Sequence, residues 1–385
     1  MSSLKKENSQ QQKTSVNLPN ITNISENNDT LNFTIENTNV SIVNGLRRTI
    51  YSDIETVVFK CNPYKESLVT IEKNNTQLNN EVLKQRLECI PIHITDPKAP
   101  LDRLEVHINE KNDSDIMKYI TTEHFKVYDI NTKTYLSETQ KTSIFPPNEI
   151  TKDYILFARL RPRISKDIPY EEIKITAKLM RSSADKNGAY NITSTCAYGP
   201  SVDVAKQDEV WKKKEDAMTN AGSTQEEISL EKKSWFVHEG LRITIPNNYD
   251  FIIETLGIYK NTYIVQQACN NIINKLNKII KNIETGSFTI KTSKTNIQNS
   301  YDVILHGEDY TIGKIIEYVL YENYFKVGNL TFVGFIKEHP HDNFSIIRVA
   351  FPTENKDNVE LYKMLQDSCR ILIKIYEKIS ADIVL

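Results

Sequence analysis

Apolar and polar positions alternate at Leu31, Phe33 and Ile35, the two-residue period of a half-buried strand. The period then changes to that of a helix. Val43, Leu46, Ile50 and Ile54 recur on one face, Thr38 or Asn39 stands where a cap is needed, and Arg47 and Arg48 sit beside the stripe. From Cys61 to about Pro200 short β-type runs are broken by Pro, Asn and Asp. CIPIHI (89–94), HFKVYDI (124–130), YILFARLRP (154–162) and EIKITAKLM (172–180) are examples, and their spacing suits a compact antiparallel sheet. One helical piece, NEVLKQRLECI, interrupts them. Residues 201–229 are polar, charged and Gly-containing, the composition of a connector or surface excursion.

After Trp235 the pattern predicts a hairpin-like pair, LRITIP and YDFIIETLG, and a long helix from about Thr262. The stripe of that helix, Val265, Cys269, Ile272, Leu276, Ile279 and Ile283, is longer than one small core requires. Strands SFTIKTS and SYDVILHG begin the last third, and the helix DYTIGKIIEYVLYEN follows with Ile312, Ile315, Ile316, Val319 and Leu320 on one face. TFVGFIKEHP and NFSIIRVAFP form a strand pair before a final helix from about Asn358, striped by Leu361, Leu365, Cys369, Leu372, Ile375 and Ile379. Strand, helix, strand pair and long helix thus occur twice, with a β domain inserted in the first copy. The fold class is α+β. Expected domains are a disordered leader over 1–30, a discontinuous domain over 31–60 and 225–285, an insert with its connector over 61–224, and a last domain over 286–385.

Composition narrows the function. A net charge of -2 and a pI near 6.4 argue against a protein that holds nucleic acid through overall basicity. Residues 1–30 lack the apolar core of a signal peptide, and no segment is apolar enough to span a bilayer, so the expectation is a soluble intracellular chain. Cys61, Cys89, Cys196, Cys269 and Cys369 include no C-x-x-C pair, which fits a reducing compartment. P-loop, G-x-S-x-G, G-x-G-x-x-G and H-E-x-x-H motifs are absent. His339 and His341 around Pro340 could start a metal site, but they read better as a polar tip between strands. Lys212, Lys213 and Lys214 after Trp211 read as a solvated face, because Glu215 and Asp216 follow.

These residues carry a family resemblance. SIVNGLRRTIYSDIETVVF resembles the first helix of the alpha-like subunits of cellular RNA polymerases: the bacterial alpha subunit, the archaeal D subunit and the third-largest subunit of eukaryotic polymerase II. EVLKQRLECIPI and TLGIYKNTYIVQQACNNIINKL are similar to later segments of that family. GEDYTIGKIIEYVLYEN with LTFVGFIKEHP and FSIIRVAF resembles the small partner, the archaeal L or eleventh-largest eukaryotic subunit, through Asp309, Thr311, Gly313, His339 and Pro340. Tyr310 stands where His is common, Phe335 replaces Tyr, and His341 replaces the Leu that usually follows the proline.

The resemblance implies a fused, non-catalytic assembly platform of DNA-directed RNA polymerase. Val43, Leu46, Ile50, Ile54, Val265, Cys269, Ile272 and Leu276 would make the internal dimer with Ile312, Ile316, Val319, Leu320, Leu365 and Leu372. Arg47, Arg48, Asn44 and Tyr51 would lie on the free face of the first helix and meet the large subunits. Expected partners are the second-largest and largest subunits and small polymerase subunits, with DNA and RNA reached only through the complex and no membrane contact. Some alpha-like relatives bind metal through clustered cysteines in the insert. Here Cys61, Cys89 and Cys196 are far apart, so no metal or other cofactor is expected, the catalytic magnesium residing in the largest subunit. Fusion in one chain resembles large DNA viruses of eukaryotes, which would place the protein in host cytoplasm and virion. A nucleic-acid-binding transcription accessory protein and a stand-alone enzyme are the alternatives.

Overall fold

The computed structural model describes residues 17–163, 165, 167–353 and 358–384. The expected leader lies outside the described residues up to residue 16. Beyond that it is not a leader, because β1 (Asn20–Asn27) and β2 (Thr30–Glu36) pair as an antiparallel hairpin turned by Asn28 at φ 52°. Polar residues suit β1 because it is an edge strand, mostly exposed.

In chain order, α1 (Val40–Ser52) and β3 (Thr56–Phe59) come next, then β4 (Val69–Asn74), α2 (Asn80–Glu88), β5 (Leu104–Asn112) and β6 (Lys118–Thr121). β7 (Lys126–Asp129), β8 (Thr134–Tyr135), α3 (Glu138–Ile144), β9 (Leu156–Leu160) and β10 (Glu171–Ser182) complete the insert. β11 (Thr193–Val202), α4 (Val204–Asn220), α5 (Gln225–Val237), β12 (Thr244–Thr255) and α6 (Asn261–Glu284) follow. The last third contains β13 (Thr289–Thr292), β14 (Ser300–His306), α7 (Tyr310–Leu320), a π turn at Tyr321–Phe325, β15 (Phe332–Ile336), β16 (Phe344–Ala350) and α8 (Val359–Asp382). Among the described residues no helix is long and apolar enough to cross a membrane.

The chain forms two compact units. The first takes in the described residues to Thr49, Cys196–Ile253 and Val265 onward; the second takes in Ile50–Thr195 and Glu254–Ile264. The first unit contains two four-stranded sheets of the same order, β1-β2-β12-β11 and β13-β14-β16-β15. Numbered within each set, both run first, second, fourth, third. In both, a short helix follows the second strand and a long helix follows the fourth, α1 and α6 in one case, α7 and α8 in the other. The alternation in β2 is realised as Leu31, Phe33 and Ile35 at 0–2% exposure, and Phe33 stacks on Phe251 of β12 at 5.1 Å. Asn39 takes the capping role, its Oδ1 accepting from Ser41 N–H at 2.9 Å.

Three local expectations change. α1 ends at Ser52, so Ile54 lies beyond the helix, and ETVVF gives a strand because its β-branched run favours one. LRITIP and YDFIIETLG are not a hairpin. β12 is one strand in which Asn247 alone takes φ 61°, and its carbonyl accepts from Thr38 N–H at 3.0 Å. Residues 201–229 are not a connector either, since α4 and α5 make a helical hairpin in the first unit around Trp211 and Trp235, with ring centroids 5.5 Å apart. Its capping box, Thr224 with Glu227, was present in the sequence. Lys213 pairs with Glu209 and Lys214 with Glu231, as suits a solvated face.

The second unit is a six-stranded sheet in the order β3-β10-β5-β7-β8, with β4 also on β10, and a separate β6-β9 pair. It therefore spans 50–195 and 254–264, where the pattern suggested 61–224. CIPIHI is not a strand, because Pro91 has no N–H for a ladder, although Ile90 and Ile92 are buried. Phe125 packs edge-on against Phe145 and Phe157 in the core. At the end of α2, the 5% exposed Glu88 is satisfied on all sides. Its oxygens accept from the N–H groups of Cys61 (3.1 Å) and Asn62 (3.2 Å), from Asn62 Nδ2 (3.0 Å) and from the Tyr190 hydroxyl (3.3 Å). Burial and the adjacent Glu88 push the Cys61 thiol up to about 12. Glu88→Ala leaves the buried Cys61 N–H without its partner, at about 1–3 kcal/mol, and frees the more exposed Asn62 N–H. Urea unfolding followed by far-UV circular dichroism should show that loss, with Glu88→Gln retaining much of the stability.

Candidate functional site

The two sets of elements in the first unit meet where α1 approaches the start of α7. Asp309 caps α7: its Oδ1 accepts from Thr311 N–H at 2.8 Å. Its other oxygen, Oδ2, receives Arg48 Nη2 at 2.5 Å, and Arg48 Nε donates to Thr311 Oγ1 at 2.9 Å. One guanidinium from α1 thus reads both the cap and the first turn of α7, using the planar fork that Lys lacks. Burial works against the Asp309 carboxylate. The Thr311 backbone N–H and hydroxyl and the Arg48 guanidinium outweigh it, holding the pKa below the ordinary carboxylate value. With side chains 38% and 40% exposed, the pair acts more as an orienting contact than as a large source of stability.

Close approach beside this pair depends on glycine. A methyl at Gly45 of α1 would stand 2.9 Å from Tyr376 Oη of α8 and 3.1 Å from Ile315 Cγ2 of α7. Gly45 costs the helix about 1 kcal/mol relative to Ala, and the gap it leaves admits Tyr376. Tyr376, fully buried, donates its hydroxyl to Ile42 O at 3.0 Å. Burial, and secondarily the Cys269 thiol of α6, raises the Tyr376 pKa well above its usual value, so the phenol remains a donor. Gly313 performs the same service within the second set. A methyl there would fall 1.9 Å from the Phe335 ring, which lies across α7 and meets Tyr310 at 5.1 Å, while Phe335 N–H donates to Glu317 Oε1 at 3.0 Å. Lys275 of α6 approaches Glu308 at 3.6 Å, a further link between the sets.

The structure therefore brings together Arg48, Asp309, Thr311 and Gly313, which the sequence reading had divided between an outer face and a motif. Arg48 is not on a free face of α1. Its charge is used inside the unit because Asp309 is the acidic cap directly opposite. Arg47 lies half-buried with Nε and Nη2 donating to Asn44 Oδ1 at 3.1 and 3.0 Å, and the Cys196 thiol approaches its carbonyl at 3.9 Å. Tyr51, Ile50 and Ile54 belong to the second unit. In the first unit Val43, Leu46, Val265, Cys269, Ile272 and Leu276 are fully buried, as are Ile312, Ile316, Val319, Leu320, Leu365 and Leu372. His339 and Pro340 lie apart, in the β15–β16 turn, where His341 N–H donates to His339 Nδ1 at 3.2 Å. Among the described residues no three His, Cys, Asp or Glu side chains are grouped to hold a metal ion. Tyr376 and Gly45 were missed by sequence reasoning. Their only signals were a phenol on an apolar stripe and a glycine inside a helix.

Comparison with known proteins gives this geometry a family. Residues 32–276 match the RNA polymerase Rpb3/Rpb11 dimerisation domain, a stretch running from β2 into α6. A protein of Acanthamoeba polyphaga mimivirus, named as a DNA directed RNA polymerase subunit, is 27% identical over 168 residues, 44% of this chain. The matched stretch spans 43% of that relative's own length. Since the family match covers more than half of its residues, the chain belongs to the RNA polymerase Rpb3/Rpb11 dimerisation domain family.

Proposed function

We propose that this chain is a non-catalytic assembly subunit of DNA-directed RNA polymerase that holds both members of an alpha-like pair in one polypeptide. The repeated sheet order carries the reading: β13-β14-β16-β15 with α7 and α8 reproduces β1-β2-β12-β11 with α1 and α6. The family match ends at residue 276, so the identity of the second set rests on that topology together with the contact of Arg48 with Asp309 and Thr311. At this contact the first set contributes the arginine and the second the acidic cap.

Fusion makes the pairing intramolecular. Only Thr285–Phe288 separates α6 from β13, so the local concentration of one set about the other is on the order of millimolar, whatever the subunit abundance. The assembled pair would then recruit the second-largest and the largest subunits, which would supply the catalytic magnesium and the nucleic-acid channel, with small subunits joining. Asn44 and Arg47, paired with each other along α1, are the side chains of this surface proposed to meet the large subunits. The net charge of -2 supports nucleic acid being reached through the complex. The mimivirus relative favours a viral enzyme, acting in host cytoplasm and packaged in the virion.

Three outcomes test this. First, co-expression of the chain as two pieces divided at Gly286 should yield a complex that co-purifies. Arg48→Glu should weaken it by roughly tenfold or more, as expected for loss of a charge-assisted pair, and adding Asp309→Lys should restore part of the loss. Pieces that never associate would defeat the proposal. Second, Asp309 has a folded pKa below its ordinary 3.8. Its contribution is full above that value and is lost as pH falls through the lowered one, so acid titrations by circular dichroism should show a shallower acid limb for Asp309→Asn. Third, affinity-tagged full-length protein from its native source should elute with two very large partners. Arg47→Glu should reduce that capture while leaving the melting curve unchanged.

A further inference from the structure

The second unit has a groove that the assembly contacts above do not use. It runs between α2 and β9. One part, a cavity of about 360 Å³, is walled by Leu78, Met117 and Leu156 and carries Arg86, Arg159 and Arg161. A neighbouring part of about 370 Å³ continues over Val82, Ile90 and Ile155, with Arg86 and Leu156 common to both. Ile155 and Met117 are 42% and 41% exposed, so apolar rim atoms meet water.

Backbone and charge both indicate what would fit. Among the described residues β9 pairs with β6 alone. On its other side Arg86 donates from Nε to Phe157 O at 2.5 Å and from Nη2 to Leu156 O at 2.7 Å, filling positions that the N–H groups of a neighbouring strand would take. Glu171 is the carboxylate lining the cavity, and Arg161 occupies both its oxygens, through its backbone N–H at 2.6 Å and Nε at 2.5 Å. The Arg159 guanidinium lies over the Tyr119 ring, 5.5 Å from its centroid, and meets no carboxylate among the described residues. Two guanidiniums, those of Arg86 and Arg159, are therefore uncompensated by any lining carboxylate.

We propose that this groove binds an extended peptide segment rich in acidic and aliphatic residues, supplied by another polymerase subunit. Its carboxylates would pair with Arg86 and Arg159, and its aliphatic side chains would cover Leu78, Met117 and Leu156. A nucleic acid fits less well, because the walls are mainly aliphatic and offer little on which bases could stack. Only the source of the segment rests on the assembly reading; the chemistry of the groove does not.

The test is fluorescence anisotropy of the full chain with a labelled octapeptide of alternating leucine and glutamate. A leucine–lysine octapeptide and oligothymidylate serve as competitors. Saturable binding of the acidic peptide, weakened roughly tenfold or more by Arg159→Glu with an unchanged melting curve, is the expected result. Absence of binding, equal competition by the basic peptide, displacement by oligothymidylate, or indifference to Arg159→Glu would each overturn it. Failure here leaves the association of the two divided pieces untouched, so the two readings fail separately.

Discussion

Two 24-residue helices, α6 and α8, each carry an apolar stripe longer than one four-stranded sheet can cover. That excess is the constraint on which the first unit depends. Val265, Cys269, Ile272 and Leu276 on α6, and Leu361, Leu365, Cys369 and Leu372 on α8, are all fully buried. Burial on this scale, at roughly 25 cal/mol per Å², requires apolar surface from both sets of elements. Neither set would be a stable end point by itself, which gives a physical reason for the chain to carry both.

Apolar stripes give adhesion without fixing alignment. The polar contacts around α1 supply alignment. Tyr376 can reach Ile42 O only where Gly45 leaves room, and Arg48 can reach Asp309 and Thr311 only when α1 stands beside the first turn of α7. Each contact contributes little energy, about 1 kcal/mol for a typical hydrogen bond, yet misaligned packing would leave the Tyr376 hydroxyl buried without a partner. In this way a modest number of polar atoms selects one packing among several that hydrophobic burial alone would allow.

The second unit is built differently. Its core is a cluster of phenylalanine rings and aliphatic strand residues, and the buried carboxylate of Glu88 is surrounded by donors. Its open feature is the groove beside β9, with Arg86 and Arg159 among its lining residues.

By itself the sequence determined the elements whose periodicity runs long: β2, α1, α6, α7, α8 and most of the strands, together with the doubled order of strand and helix. It also marked Arg48, Asp309, Thr311 and Gly313, though as members of separate groups. Short elements were ambiguous. The polar edge strand β1 looked like a leader, CIPIHI looked like a strand until the missing N–H of Pro91 was weighed, and α4–α5 bury only a few side chains around two tryptophans. Tertiary structure alone decided which charges meet. Arg48 and Asp309 are 261 residues apart, and a guanidinium beside an apolar stripe has the same local signature whether it faces water or a distant carboxylate. Periodicity reports which face of a helix is buried. What stands opposite that face depends on contacts that no local pattern encodes.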